Sequence, residues 1–315
     1  MPPSPQPTPD TSLPEASILD LNFLGYSEAI ASCLLEGGGE LALVDSGPTS
    51  CLPTLRAKLA ERGLQVADLS AILLTHIHFD HAGAAGTLVR ENPRLKVYVH
   101  GIGAKHMVNP ERLLASATRL YGDAMQQMFG EFLAVPAENL TVLVGGEQLQ
   151  VAGRKVEVIY SPGHASHHVT FLDLSTGTAF VGDTTGLRLP GHGLVAPVTP
   201  PPDIDLEVWD RSLEEISRRK PARIFLTHFG PYKNVEEHLD QTREGMHRWA
   251  DRAAEIMAAT TDDGARIARF IKESEAEMHR ALPAETAVRY TKGANATLSW
   301  YGLERYWRKR ATSQS

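Results

Sequence analysis

The sequence predicts an α+β protein in which two β-rich layers are flanked by helices and followed by a helical C-terminal extension. Three observations carry that expectation. Strand-length apolar runs bounded by Gly-containing turns recur in both halves of the first 232 residues. Segments with helical spacing separate several of these runs. No strand-like run follows residue 233, where long amphipathic helical patterns take over.

The elements follow in order. Ser17 to Gly25, Ile30 to Glu36 and Glu40 to Asp45 read as short strands, the last two split by Gly37–Gly39. Thr49 to Gly63 has helical spacing through Leu52, Leu55 and Leu59 and closes on a glycine. Ser70 to Thr75 is a short apolar run that reads as a buried strand, and a small-residue helix to about Arg90 follows the HIHFDHAG segment. Leu95 to His100 is another strand. Residues 101–135 read as helical, and their Met and aromatic residues serve either core packing or a roof over a substrate pocket. Strands are expected at 141–144, 147–151, 155–160, 168–174 and 178–182. A Pro-rich loop over 190–202, a helix from Leu206 to Arg219 and a strand from Ala222 to Thr227 come next. The extension is read as helices at 234–260, 262–281 and 295–310, dividing the chain into 1–16, 17–232 and 233–315. The last helix carries Trp300, Tyr301, Tyr306 and Trp307, which pack on the main domain or join two copies in a homodimer.

Composition narrows the function classes. The 315 residues are enough for a sizeable core, and 42% hydrophobic with 22% charged residues is ordinary for a soluble protein. A net charge of −7 without a basic block argues against nucleic-acid binding and leaves a small-molecule substrate as the expected partner. Cys33 and Cys51 are too few for a disulfide framework or a thiolate zinc cluster. No apolar run reaches the roughly 18 residues a membrane span needs. Residues 1–16 are Pro-rich, are expected to be frayed and lack the features of a secretory signal, so the expected location is the cytoplasm.

The chemistry concentrates in His76, His78, Asp80 and His81. In an extended stretch residues two apart point the same way, so His76 and His78 can present imidazoles to one point. The chain then turns, and Asp80 and His81 can face a second point close by. Neutral imidazole and carboxylate suit Zn²⁺, and also Fe or Mn. His164, Asp183 and His228 each follow an apparent strand, as residues of a site assembled from several strand ends do. Together these are five His and two Asp, enough for two metals with one bridging carboxylate.

In the order THIHFDHAG, SPGH, VGD and LTHFG, with VDSG at 44–47 ahead of them, the chain resembles the metallo-β-lactamase-fold hydrolase superfamily, closest to its glyoxalase II-like and lactonase-like branches. The resemblance spans residues 17–232 and implies a four-layer αββα sandwich with metals between the sheet edges. It implies that His76, His78 and His164 hold one metal, that Asp80, His81 and His228 hold the second, and that Asp183 bridges them. Asp45 would orient ligands, or simply cap its turn. The family's Gly-His-Thr-Pro-Gly-His pattern is altered here to GHASHHV. His168 is read as the counterpart of the last His, supporting the ligands, and His167 as exposed or near the substrate, with exposure favoured. His192 and Tyr232 are candidate substrate contacts, whereas His100, His106, His238, His247 and His279 have no partner at ligand spacing. Glutathione-binding residues of the thioester branch have no individual match in the C-terminal helices.

The implied activity is dinuclear hydrolysis. A metal-bound hydroxide would attack a small ester, thioester, lactone or phosphoester, with two divalent cations, zinc foremost, and Asp80 as proton shuttle. The alternative of the same fold is a mononuclear-iron persulfide dioxygenase, with iron on His76, His164 and Asp183.

Overall fold

A computed structural model describes residues 13–313. Two six-stranded sheets face each other. The first runs in chain order: β1 (Ser17–Asp20), β2 (Ala31–Gly37), β3 (Glu40–Val44), β4 (Ala71–Leu73), β5 (Lys96–His100) and β6 (Leu140–Leu143). Its first two pairings are antiparallel and its last three parallel. The second sheet holds β7 (Gln148–Val151), β8 (Arg154–Tyr160), β9 (Val169–Asp173), β10 (Thr178–Gly182), β11 (Arg223–Leu226) and β12 (Gly230–Tyr232), also in sequential order. Only β10 and β11 pair in parallel there, joined through α7 (Leu206–Arg218).

Period-2 burial explains the four layers. Ala31, Cys33 and Leu35 of β2, Ala42 and Val44 of β3, and Ala71 and Leu73 of β4 face the second sheet, where they meet Val158, Phe171, Phe180 and Phe225. Their alternates Leu34, Leu43 and Ile72 face outward. They pack under α1 (Leu52–Ala60), α2 (Phe79–Ala82), α3 (Ala85–Glu91), α4 (Gly101–Val108), α5 (Glu111–Tyr121) and α6 (Ala124–Phe129). The outer face of the second sheet, with Val181, Ile224 and Leu226, carries α7 and four further helices: α8 (Val235–Ala259), α9 (Asp263–Ala281), α10 (Ala284–Ala294) and α11 (Ala296–Ser313). This is the α+β, αββα sandwich.

The helices of the extension share one apolar cluster with that outer face, through Trp209, Trp249 and Trp300 among others. Trp307 donates its indole N–H to the Ala250 carbonyl at 2.8 Å, and Tyr306 is 6% exposed, so most of the aromatic tail packs on its own chain. Buried Arg154 ties the second sheet to the first, pairing with Asp173 at 2.7 Å and donating to the carbonyls of Glu36 and Pro14.

Several element boundaries differ from the sequence reading. Most of the N-terminal segment expected to be frayed lies outside the described residues; within them, Pro14 accepts from Arg154 and Glu15 pairs with Arg223 at 2.7 Å. The first strand stops at Asp20 because the Asp20 carboxylate accepts the N–H groups of Asn22 and Glu28 and folds the chain into a turn at Phe23–Gly25. The 101–135 segment is three helices that end at Gly130, whose φ of +71° breaks α6. β12 is three residues containing a proline, too short for an alternation signal. The last helix expected, 295–310, is α11, and a helix the sequence reading lacks, α10, precedes it, the two separated at Asn295.

Candidate metal centre

Every motif residue sits just past a strand, and all of these strand ends lie on one edge of the sandwich. Asp45 follows β3, His76 and His78 follow β4, and Asp80 and His81 fall in the single turn of α2. His164 follows β8, Asp183 follows β10 and His228 follows β11. At Gly182, in the left-handed region with φ +48°, a Cβ would lie 2.6 Å from both His168 Nε2 and Thr75 Oγ1. A glycine there lets the end of β10 close onto the loop after β4.

The side chains converge in two groups. Ligand atoms of His76, His78, His164 and Asp183 lie within 4.8 Å of one another, as do those of Asp80, His81, Asp183 and His228. Asp183 belongs to both. Its Oδ2 is 3.5 Å from His164 Nε2, and its Oδ1 is 3.2 Å from His81 Nε2 and 3.5 Å from His228 Nε2.

The outer partners set the tautomers. His164 Nδ1 donates to the Val198 carbonyl, His228 Nδ1 to the Ala29 carbonyl, and His81 Nδ1 to Asp45 Oδ2, at 2.8, 2.8 and 2.7 Å. His76 Nδ1 faces Thr75 Oγ1 at 3.1 Å, whose own proton goes to Asp45. In its neutral form each of these rings therefore turns an Nε2 lone pair inward. His76 Nε2 lies 2.9 Å and His164 Nε2 3.0 Å from His78 Nδ1. Three ring nitrogens at such separations leave lone pairs aimed at one point. In the second group, buried His81 Nε2 and Asp183 Oδ1 lack hydrogen-bond partners among the described residues. Such orphaned polar atoms and this N/O donor set fit divalent cations, which would replace the proton on His81 Nε2.

The electrostatics of the two groups differ. Burial, reinforced by neighbouring imidazoles, holds His76 well below its ordinary range and His78 down at about 4. Burial also lowers His164. In the second group burial acts in the same direction, but Asp183, Asp80 and Asp45 outweigh it and raise His81 well above its ordinary value; Asp183 and Asp80 likewise raise His228. For Asp80 burial works upward, yet His81 and His228 hold its carboxyl at about 2.

Asp45 is fully buried with φ +54° and accepts from Thr75 N–H, the hydroxyls of Thr75 and Thr227, and His81. Both threonines stand directly before motif histidines, a signal the sequence reading passed over. His168 is buried, faces the hydroxyls of Ser161 and Thr184, and accepts the Asp183 N–H at its Nε2 at 3.2 Å, which fixes the backbone of Asp183. His167 departs from the favoured expectation of exposure: it is 8% exposed and stands at 90° to the His78 ring, centroids 5.6 Å apart. The reason is α4, whose Gly103 lets the helix close over the loop; a Cβ there would be 3.4 Å from His167 Cβ.

A cavity of about 850 Å³ opens over the centre, with His78, Asp80, His167, Asp183 and His228 on its floor. Helices α4 to α6 form one wall, so residues of the 101–135 segment both pack the core and roof the cavity. The other wall includes Tyr26, Arg289 and Lys292, none of them singled out from sequence. Neither His192 nor Tyr232 is among the lining residues. His192 Nε2 reaches Thr286 at 3.4 Å, and the Tyr232 hydroxyl donates to the Arg188 carbonyl at 2.8 Å. His106 does line the cavity, while buried His238 donates its Nε2–H to the Thr185 carbonyl at 2.9 Å. No helix among the described residues is long and apolar enough to cross a membrane.

The family model described as Metallo-beta-lactamase superfamily matches residues 28–228. The metallo-beta-lactamase fold-containing protein ST1585 of Sulfurisphaera tokodaii is 32% identical over 178 residues, which are 55% of this chain and 66% of that protein. Its solved structure superposes with a TM-score of 0.63 at 21% identity, covering 95% of this chain and 99% of that one. Atrochrysone carboxyl ACP thioesterase of Aspergillus fumigatus is 27% identical over 216 residues, 68% of this chain and 55% of the relative. A hydroxyacylglutathione hydrolase of Synechococcus sp. is 31% identical over 143 residues, 45% of this chain and 43% of the relative. The chain thus spans between less than half and about two thirds of the length of these curated relatives.

Proposed function

The chain belongs to the metallo-β-lactamase superfamily, and from that premise we propose that it is a metal-dependent hydrolase with a two-cation centre acting on an ester or thioester. One observation carries the reading: seven side chains from distant parts of the chain bring their donor atoms into two groups that share Asp183 on the floor of one cavity. The thioesterase and hydroxyacylglutathione hydrolase among the relatives support the bond type.

Divalent cations, zinc foremost, would supply Lewis acidity toward a carbonyl oxygen and a water acidic enough to attack near neutral pH. His76, His78 and His164 would hold one, Asp80, His81 and His228 the other, and Asp183 both. The Asp80 side chain, 26% exposed toward the cavity, is ionised at neutral pH and stands where it can take a proton from the attacking water and return it to the departing group. His167 receives the Ile77 N–H at its Nδ1, 3.4 Å away, so its own proton sits on Nε2 as a donor for a substrate oxygen.

The test pairs metal analysis of protein purified without added metal with a panel of a nitrophenyl ester, S-lactoylglutathione, a lactone, a phosphoester and a β-lactam. The expected result is about two cations per chain together with ester or thioester turnover. A chain that retains no cation, or hydrolyses nothing on the panel, defeats the proposal. A single iron with oxygen uptake on a persulfide would replace it with the dioxygenase alternative, although the second donor group is as complete as the first.

A further inference from the structure

Part of the large apolar surface left exposed among the described residues gathers at one place. Of the eleven large apolar side chains exposed among the described residues, four (Leu24, Tyr26, Ile102 and Leu120) border the cavity above the metal centre. Exposed apolar surface gathered around a concave site marks a place where apolar ligand surface is covered. Helix α5 shows the same thing from its own sequence. Leu113, Ala117, Leu120 and Tyr121 fall at i, i+4, i+7 and i+8, an apolar stripe along one helix face, and all four line the cavity. Opposite them the turn at Phe23–Gly25 lays Phe23 against Phe129, ring centroids 6.1 Å apart. The far wall is mixed: Leu187, Leu189, Ala294 and Leu298 line it. Among them Arg289 is held by Glu28, Lys292 lies 4.2 Å above the Tyr26 ring, and Asn295 and Ser299 add polar groups. On the α5 side Arg112 and Ser116 border the stripe.

We infer, building on the hydrolase reading above, that the substrate is an ester or thioester of an extended, linear acyl group. The acyl chain lies along the α5 stripe, and the alcohol or thiol half faces Arg289 and Lys292 of α10. Three features select this occupant. The apolar strip is continuous with the donor groups on the floor, so a chain lying on it reaches the reacting carbonyl. The cavity, at about 850 Å³, is far larger than an acetyl ester needs. Across the cavity from the stripe, the cationic groups of Arg289 and Lys292 can receive a polar alcohol or thiol half. In the reaction water adds to the acyl carbon and the bond from that carbon to oxygen or sulfur breaks. The products are the carboxylate, the free alcohol or thiol, and one proton.

A series of nitrophenyl esters from acetyl to dodecanoyl, measured on the metal-loaded protein, tests this. Each methylene that enters the strip should raise kcat/KM by about fourfold until the strip is filled. Ser116→Trp, which narrows the strip, and Leu120→Glu, which charges its mouth, should each lower the decanoyl-to-acetyl ratio of kcat/KM by about tenfold or more. Leu120 is already exposed, so the second variant keeps the experiment interpretable if the first fails to fold. Val144→Glu, on an exposed residue outside the cavity, should leave the series unchanged. Turnover of all esters at rates independent of chain length overturns the inference and leaves the hydrolase standing. If neither an ester of the series nor any substrate of the panel is turned over, the hydrolase reading falls. The acyl strip is then judged by calorimetric binding of decanoate alone, where binding weakened about tenfold by Leu120→Glu supports it and no binding refutes it.

Discussion

The two donor groups share a carboxylate and differ in almost everything else. The first, around His76, His78 and His164, is three neutral rings in which burial has suppressed protonation. The second, around Asp80, His81 and His228, has Asp183 and Asp80 on its rings, so its histidines hold protons where a cation would sit. A cation entering the first group finds lone pairs waiting. One entering the second must displace protons, and in exchange meets more negative charge. The fold arranges both with the same device, strand ends on one edge; the placement of Asp45 and Asp80 near the second makes the difference.

The largest effect expected is from Asp183→Ala, which removes a donor from both groups at once. Retained metal should fall from about two per chain toward none, and kcat/KM by on the order of a thousandfold or more. His228→Ala strips only the second group, and its retained metal should settle near one per chain. Equal loss in the two variants would mean that the groups do not fill independently.

Asp45→Asn sharpens the comparison with a smaller effect. Asp45 touches no donor of the first group directly but accepts from His81 Nδ1 in the second. Losing that charge should weaken the second cation by about 10–100-fold while the first keeps its affinity. Competition titration with a chromogenic chelator resolves the two steps, and a matching loss at both would contradict the role given to Asp45.

Proton counting distinguishes the groups at the next level. Calorimetric titration of zinc into chelator-stripped protein at pH 7, repeated in buffers of different ionisation enthalpy, gives protons released per cation. The second group should release about one or more and the first close to none. Equal release from both would break the electrostatic contrast.

How much of this was legible in the sequence follows from the range of the interactions. The i, i+2 pair His76 and His78 and the turn to Asp80 and His81 are local, so backbone geometry alone brings their side chains together. The alternation in β2, β3 and β4 fixes which faces meet. His167 was misread because its burial depends on α4, about sixty residues earlier, folding over it. The far wall of the cavity was invisible for the same reason. Tyr26 and Lys292 meet from opposite ends of the chain, and neither segment has a periodicity that announces the contact. α10 is not legible because Thr286, Val288, Thr291 and Gly293 are weak helix formers, and the helix is held by packing through Ala287, Tyr290 and Ala294.

The smallest effect expected lies in the pH dependence of stability of the cation-free protein, where the two groups should tilt the curve in opposite directions. The unfolded chain titrates its histidines near 6.5. In the first group the folded chain refuses those protons, so its contribution is complete above about 6.5 and is lost as pH falls toward the value near 4 of His78. Buried His238, also held at about 4, adds to the same acid limb from a distant helix. In the second group the folded chain keeps protons that the unfolded chain gives up. Its contribution is complete below about 6.5 and is lost as pH rises through the raised values of His81 and His228. Urea midpoints of chelator-stripped protein, taken from pH 4 to 9, should therefore decline on both sides of a maximum. His78→Gln should flatten the acid side alone and His228→Gln the alkaline side alone. If both variants altered the same limb, the opposite protonation assigned to the two groups would be wrong even if both still bound metal.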